Sequence, residues 1–358
     1  TPRSAVPLSN TYGTKVIEYR ARELLGCFFN IILNKTHLVI PFSRRILEEI
    51  KKTDVIIDIW GILFTDQKYK NFYNTALGGL HIFMGKLLKK PVIKYTADMG
   101  TFKLRWNRFF AKFYLGKLDL ILARSDVTKK YLLELGIKVP IYICPDTAFL
   151  LEPVSSNKSV CIEKESKNRI IIGLSMSYVI DKKERERGEY VSSMAKIVDY
   201  LIQEINALVV LIPNDVFPHK YDDLQVAQKI YRKIHNKKEI TLLKDGYSAG
   251  ELKGIIEKCD VFIGARYHSI IAAISMGIPV LAISWHHKYN EIMKLVNQEE
   301  YVCSITSLNF KTLKEKVNSL LENREKIRGE LKLKVSAIKA SVMLGGKLVK
   351  QVLNDIQK

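Results

Sequence analysis

Between Val261 and Ser284 the chain reads VFIGARYHSIIAAISMGIPVLAIS, two short apolar runs on either side of one compact helical pattern. Val261 to Gly264 has the signature of a buried strand ended by glycine. Ser269 to Met276 predicts a helix, Gly277 stands where a C′ residue belongs, and Pro279 stops any continuation. Val280 to Ile283 is the next buried strand. Two strands this close, joined through a helix, must run parallel, because an antiparallel pair needs no crossover. The chain is thereby committed to an open α/β sheet. In such sheets ligands bind outside the carboxyl ends of the strands. Arg266 and His268 fall at one such end, where the first turn of a helix favours an anion. Arg266 offers a planar fork for carboxylate or phosphate, and His268 exchanges protons near neutral pH. The next strand ends in Trp285-His286-His287-Lys288, which brings a lysine to the same rim. Arginine and histidine in these places serve equally well as structural caps.

At 358 residues two domains are expected, and a hydrophobic content of 47% is enough to fill both cores. The formal net charge of +20 calls for anionic partners: nucleic acid, an acidic membrane surface or phosphorylated substrates. The five cysteines form no C-x-x-C pair and the histidines no H-E-x-x-H pattern. A disulfide framework and a zinc site are therefore not expected, and a reducing cytosol is. No apolar run approaches the roughly 18–20 residues of a membrane-spanning helix, and no signal peptide is visible at Thr1. No helix-turn-helix, zinc-finger or RNA-binding signature accompanies the charge, so no specific nucleic acid is expected.

Strands and helices alternate through both halves. Asp54 to Trp60, Pro91 to Tyr95, Leu118 to Ala123 and Ile141 to Cys144 read as strands of a first domain, residues 1–155. Asn10 to Lys15 is a turn opening a helix from about Val16, Thr36 to Ile40 a further strand, and Asp58 and Asp66 lie at or beyond the end of the Asp54 strand. Arg124 repeats the placement of Arg266, with Asp126 as a nearby structural partner and Ser125 or Asp126 as the cap of the next helix. The polar stretch from Glu152 to Asn168 is a linker. Residues 165–335 form the second domain, with strands at Arg169 to Ser175, Ala207 to Pro213 and Ile240 to Leu243. Asp222-Asp223 opens a helix there, and Ser248 caps another. Residues 336–358 are a C-terminal helix. The predicted fold is α/β, two Rossmann-like domains facing a cleft.

The segment GARYHSIIAAISMGIPVLAIS, preceded by YSAGELKGIIEKCD and followed by Lys288, resembles the signature of the polysaccharide pyruvyl transferases; looser similarity extends over most of the chain. The resemblance implies a GT-B-like fold whose last helix crosses back to the first domain, an acceptor side in the first domain and a donor side in the second. It implies transfer of a pyruvyl group from phosphoenolpyruvate to two hydroxyls of a sugar, forming a pyruvate ketal in cell-surface polysaccharide biosynthesis. His268 is then the general acid, and Arg266, Lys288 and Arg124 hold substrate, with domain closure needed to bring Arg124 near. No metal and no cofactor is required. Two departures stand out. Only Gly61 remains of a glycine run usual after the Asp54 strand, and Gly100-Thr101 lacks the usual proline.

The acceptor implied by the resemblance is a lipid-linked sugar, which sets the expected location: cytoplasmic, peripheral at the inner face of the membrane. Residues 102–117, FKLRWNRFFAKFYLGK, place Phe102, Trp106, Phe109, Phe110 and Phe113 on one helical face, with Arg105, Arg108 and Lys112 on another. This is either an interfacial helix on an anionic membrane or a helix packed on the core with a solvated basic face. The competing activity is a GT-B nucleotide-sugar glycosyltransferase, which would need a carboxylate for the ribose, with Asp245 and Glu251 as candidates.

Overall fold

The computed structural model describes residues 21–32, 44–66, 71–156, 169–184, 188–217 and 221–356. The turn expected at Asn10 to Lys15 and the strand expected at Thr36 to Ile40 lie outside them. The chain divides into two compact units, Thr1–Asp146 with Ser341–Lys358, and Thr147–Ala340.

The first unit begins with α1 (Ala21–Ile32) and α2 (Arg44–Lys52). Next come β1 (Ile56–Asp58), β2 (Ile62–Leu63), α3 (Phe72–Gly78), α4 (Leu80–Leu87) and β3 (Val92–Met99). The unit continues with α5 (Arg105–Leu115), β4 (Leu120–Ala123), α6 (Asp126–Glu134) and β5 (Ile141–Ile143). Its sheet runs in the order β1-β3-β4-β5, with β2 also on β3, and every pairing is parallel. The core joins Leu63, Phe64 and Ile82 to Leu115, Ile121 and Leu132. Lys94 of β3 is fully buried, and its Nζ meets Asp58 Oδ1 at 2.9 Å and the Trp60 carbonyl at 2.6 Å. A buried ammonium is tolerable only with such partners.

The second unit contains β6 (Ile171–Ser175), α7 (Tyr178–Lys183), α8 (Glu189–Gln203), β7 (Leu208–Leu211), α9 (Asp223–Lys233) and β8 (Ile240–Leu242). Then follow α10 (Ala249–Ile256), β9 (Val261–Gly264), α11 (Tyr267–Ser275), β10 (Val280–Ser284), α12 (His287–Leu295), β11 (Val302–Ser304) and α13 (Phe310–Glu322). The final helix, α14 (Arg324–Ile356), passes from the second unit into the residues assigned to the first. No helix among the described residues is long and apolar enough to cross a membrane.

The second sheet runs β11-β10-β9-β6-β7-β8, all parallel. Ranked within the unit, that is the doubly wound order 3-2-1-4-5-6 read from the β8 edge. Strands β6, β9 and β10 are buried along their whole length, which is why they read as unbroken apolar runs and not as alternating ones. The strand-helix-strand unit is therefore as the sequence predicts, except that α11 starts two residues early, at Tyr267. Gly277 follows it at φ +72°, a left-handed conformation that costs a residue with a Cβ. The nearest side-chain atom to an added Cβ lies 3.5 Å away, so space is not the obstacle. Gly277→Ala is expected to lower unfolding free energy by about 1 kcal/mol through backbone strain alone. Urea denaturation checks this; an unchanged midpoint would show that the left-handed turn is not what keeps glycine there.

Candidate active site

The carboxyl ends of β6 and β9 lie side by side at the point where the winding of the second sheet reverses. From β6 the chain goes on to β7 and β8, and from β9 it goes the other way, to β10 and β11. Connections that leave in opposite directions open a crevice between them, and in sheets of this kind that crevice takes the ligand. Arg266 is the N-cap residue of α11 directly beyond β9, in extended conformation at φ −120° and ψ 134°. The Arg266 side chain makes no cap bond to this helix, whereas Ser248 and Glu251 close a capping box at the start of α10.

The guanidinium of Arg266 is not an open fork. Its Nε donates to Asp223 Oδ2 at 2.7 Å, its Nη2 pairs with Asp223 Oδ1, and its Nη1 meets Asp215 Oδ2 at 2.9 Å. Asp223 is completely buried, and the Arg266 side chain is 12% exposed, whereas Asp215 is 46% exposed. The Asp223 carboxylate also accepts the backbone N–H groups of Tyr178 at 2.9 Å and Asp215 at 3.0 Å. One carboxylate thus ties together the loops beyond β6, β7 and β9. Burial pushes the Asp223 carboxyl upward, and the bonded guanidinium opposes that push. The Tyr178 ring packs against the arginine, with Cζ 4.8 Å from its centroid. The sequence places Arg266 correctly but does not show this pairing.

His268 lies in the first turn of α11 and is exposed to solvent. Its ring meets that of Tyr267 edge-on, with centroids 5.6 Å apart. Lys288 belongs to the first turn of α12, and its Nζ sits 4.6 Å from the Tyr267 ring centroid. Tyr267 is therefore the shared wall between the histidine and the lysine. Tyr289 anchors that wall: its hydroxyl donates to the Ala265 carbonyl at 3.2 Å and accepts from Trp285 Nε1 at 2.8 Å. Lys183 adds a further cation, 4.3 Å from the Trp285 ring centroid. His286 caps α12 by accepting the Lys288 N–H. Burial first, and then His287, Lys288 and Lys183, push its pKa down to about 4, so it is neutral at pH 7. The structure thus brings Arg266, His268 and Lys288 to one rim of one sheet.

Arg124 belongs to the first unit, at the end of β4. Its Nη1 meets Asp98 Oδ2 at 3.0 Å, and its Nη2 meets Asp146 Oδ2 at 3.1 Å and the Thr96 carbonyl at 3.0 Å. The sequence offers Asp126 as its structural partner; the ion pairs to Asp98 and Asp146 reach strand-end carboxylates distant in sequence. Ser125, not Asp126, caps α6 by accepting the Thr128 N–H. The one glycine left at Gly61 has a reason: an added Cβ would stand 2.8 Å from Arg124 Nη2. Asp58 bonds His81 Nε2 at 2.9 Å as well as Lys94, and Asp66 accepts from Thr101, Asn107 and the Lys103 N–H. Both carboxylates serve the fold locally. Glu251, the ribose candidate, accepts the Ser248 N–H and the Ser156 hydroxyl.

The family model for polysaccharide pyruvyl transferase matches residues 9–287. The amylovoran biosynthesis protein AmsJ of Erwinia amylovora is 25% identical over 331 residues, 89% of this chain and 77% of AmsJ. Among solved structures, a UDP co-structure of MnaA from S. aureus superposes with a TM-score of 0.63 at 14% identity, covering 99% of this chain and 87% of that one. HepE from Anabaena in complex with UDP gives a TM-score of 0.55 at 13% identity, covering 92% and 89%. At such identities the structural likeness concerns the fold: two Rossmann-like α/β domains of GT-B type.

The two carboxylates around Arg266 differ in burial, and this difference has a measurable consequence. Asp223→Ala leaves a buried guanidinium short of its main partner and is expected to cost about 3–5 kcal/mol of stability. Asp215→Ala removes an exposed partner and is expected to cost less than about 1 kcal/mol. Chemical denaturation of the two variants checks this; equal losses would contradict the division of roles.

Proposed function

We propose that this chain, which belongs to the polysaccharide pyruvyl transferase family, moves a pyruvyl group from phosphoenolpyruvate onto two hydroxyls of a sugar carried on a lipid phosphate. The observation that carries the donor assignment is the cationic rim at the switch point of the second sheet. There Arg266 is fixed by buried Asp223, and His268 and Lys288 flank Tyr267. The name of the family, polysaccharide pyruvyl transferase, is in line with a sugar acceptor.

Phosphoenolpyruvate brings a carboxylate, a phosphate and an enol carbon pair. Asp223 holds the inner edge of Arg266, so only the Nη1 edge is open to exchange. The donor's anionic group takes the place of exposed Asp215 at that edge, and Lys288 meets the second anionic group as a point charge. The N-terminal turn of α11, to which the Arg266 side chain makes no cap bond, adds its dipole. His268 as the imidazolium gives its proton to the methylene carbon, and the electron pair of the C=C bond forms the new C–H bond. The adjoining carbon becomes oxocarbenium-like and is attacked by one sugar hydroxyl, which forms a C–O bond and releases its proton. The bond to the phosphate oxygen then breaks, and phosphate leaves with its electron pair. The second hydroxyl attacks the same carbon and releases its proton, closing the ketal. The cations stabilise the anionic groups throughout. Arg124 is the substrate-binding residue proposed for the first unit.

A nucleotide-sugar glycosyltransferase is the alternative on this fold, and Glu251, with both carboxylate oxygens engaged at the start of α10, does not favour it. The test is phosphate release by the purified chain from phosphoenolpyruvate in the presence of a panel of lipid-linked sugars. His268→Ala is expected to lower turnover by roughly 10²–10⁴-fold with an unchanged melting transition. Near-normal turnover in that variant would remove His268 from the acid role. Sugar transfer from a UDP-sugar, without phosphate release from phosphoenolpyruvate, would favour the alternative.

A further inference from the structure

Helices α3, α4 and α5 of the first unit contain no aspartate or glutamate at all. They touch one another, α4 with α5 and α3 with both. On α5 the residues Asn107, Ala111, Tyr114 and Leu115 are buried, which fixes the face turned to the core. The sequence left two readings for its aromatic residues, and the structure divides them. Phe102, before the helix, is 4% exposed and Phe110 is half-buried, whereas Phe109 is 63% exposed, with Trp106 and Phe113 also at the surface.

The exposed rings are continuous with others that the helical spacing of α5 could not reveal. Phe110 meets Phe72 of α3 at 5.3 Å, and Phe72 meets Tyr73, 74% exposed, at 5.8 Å. Phe113 meets Phe83 of α4 at 5.6 Å. Cations border these rings. Arg105, Arg108 and Lys112 are exposed on α5 itself, and Lys117 Nζ lies 4.7 Å from the Phe113 ring centroid. A soluble surface seldom leaves so many neighbouring large rings in water.

We propose that this face docks the protein on an anionic lipid bilayer. Aromatic rings with a basic rim suit the interface between headgroups and acyl chains, where long cationic side chains reach the phosphates while their stems lie along the rings. Charge selects the occupant. A second copy meeting this face with the same face would set cation against cation and no carboxylate from these helices against either. A bilayer with anionic headgroups supplies the missing sign. The inference does not rest on the reaction proposed above, because vesicle binding needs neither donor nor acceptor.

The experiment is co-sedimentation of the full chain with phosphatidylcholine vesicles, with and without phosphatidylglycerol. Binding is expected only with the anionic lipid, and it should weaken as salt rises. Three cations on the docking face contribute about fivefold each in partition, so the Arg105→Glu/Arg108→Glu/Lys112→Glu variant should lose on the order of a hundredfold. Phe109→Ser removes one exposed ring and no charge, and it should weaken binding while leaving the melting transition in place. The proposal is overturned if the parent ignores anionic vesicles, or if Phe109→Ser binds them as tightly as the parent does. It is likewise overturned if sedimentation velocity finds a dimer that Phe109→Ser dissolves while neither protein binds vesicles, since the face then belongs to a second copy.

Discussion

The buried ion pair between Arg266 and Asp223 is the constraint on which the candidate site depends. Removing a carboxylate completely from water is unfavourable, and the attraction of one guanidinium repays little more than that cost. The pair is therefore better understood as a fixture than as a source of stability. Asp223 takes two bonds from Arg266 and two from backbone N–H groups, those of Tyr178 and Asp215. Four bonds to one carboxylate register three loops at the crevice where the winding reverses. With its inner edge fixed, Arg266 presents only one edge, and that edge faces a carboxylate half in solvent. A cation so held loses little freedom when an anion arrives, which is how a site gains affinity from preorganisation.

Much of this rim was legible in the sequence. The apolar runs from Val261 and Val280, with the helix between them, impose a parallel crossover, and the crossover places Arg266, His268 and Lys288 at strand ends. The family model's match, residues 9–287, takes in this stretch as far as His287. The partners were not legible, because Asp223 meets Arg266 across 43 residues and nothing in local spacing reports such a contact. One signal was present. Asp222 and Asp223 stand together where a helix needs one cap, and Asp222 fills that need by accepting the Gln225 N–H. A second carboxylate at the first position of α9, followed by a core-facing pattern, calls for a cation from elsewhere.

Arg124 shows the same limit. Its strand-end placement was visible, and a neighbour such as Asp126 was the natural partner by proximity. The fold instead supplies Asp98 and Asp146, from the ends of the two strands flanking β4. The ladder between β3 and β4 shifts register between Lys94 and Ala97, and Thr96 takes φ +37° there. Its carbonyl is the one that Arg124 Nη2 reaches. Backbone held in this conformation costs energy in a β-branched residue and persists only when its surroundings enforce it. In the aromatic face of α3 to α5, sequence periodicity found the α5 rings but not their neighbours, because ring contacts between helices have no period.

The central claim is that Arg266, held at its inner edge by Asp223, binds the donor through the remaining Nη1 edge of its planar guanidinium and not through charge alone. The most direct measurement is calorimetric titration of phosphoenolpyruvate into the parent chain and into Arg266→Lys, which keeps the charge and loses the fork. Binding weakened roughly tenfold or more, about 1.4 kcal/mol, is the expected result. Equal affinity in the two proteins, or no binding of phosphoenolpyruvate to the parent, would contradict it.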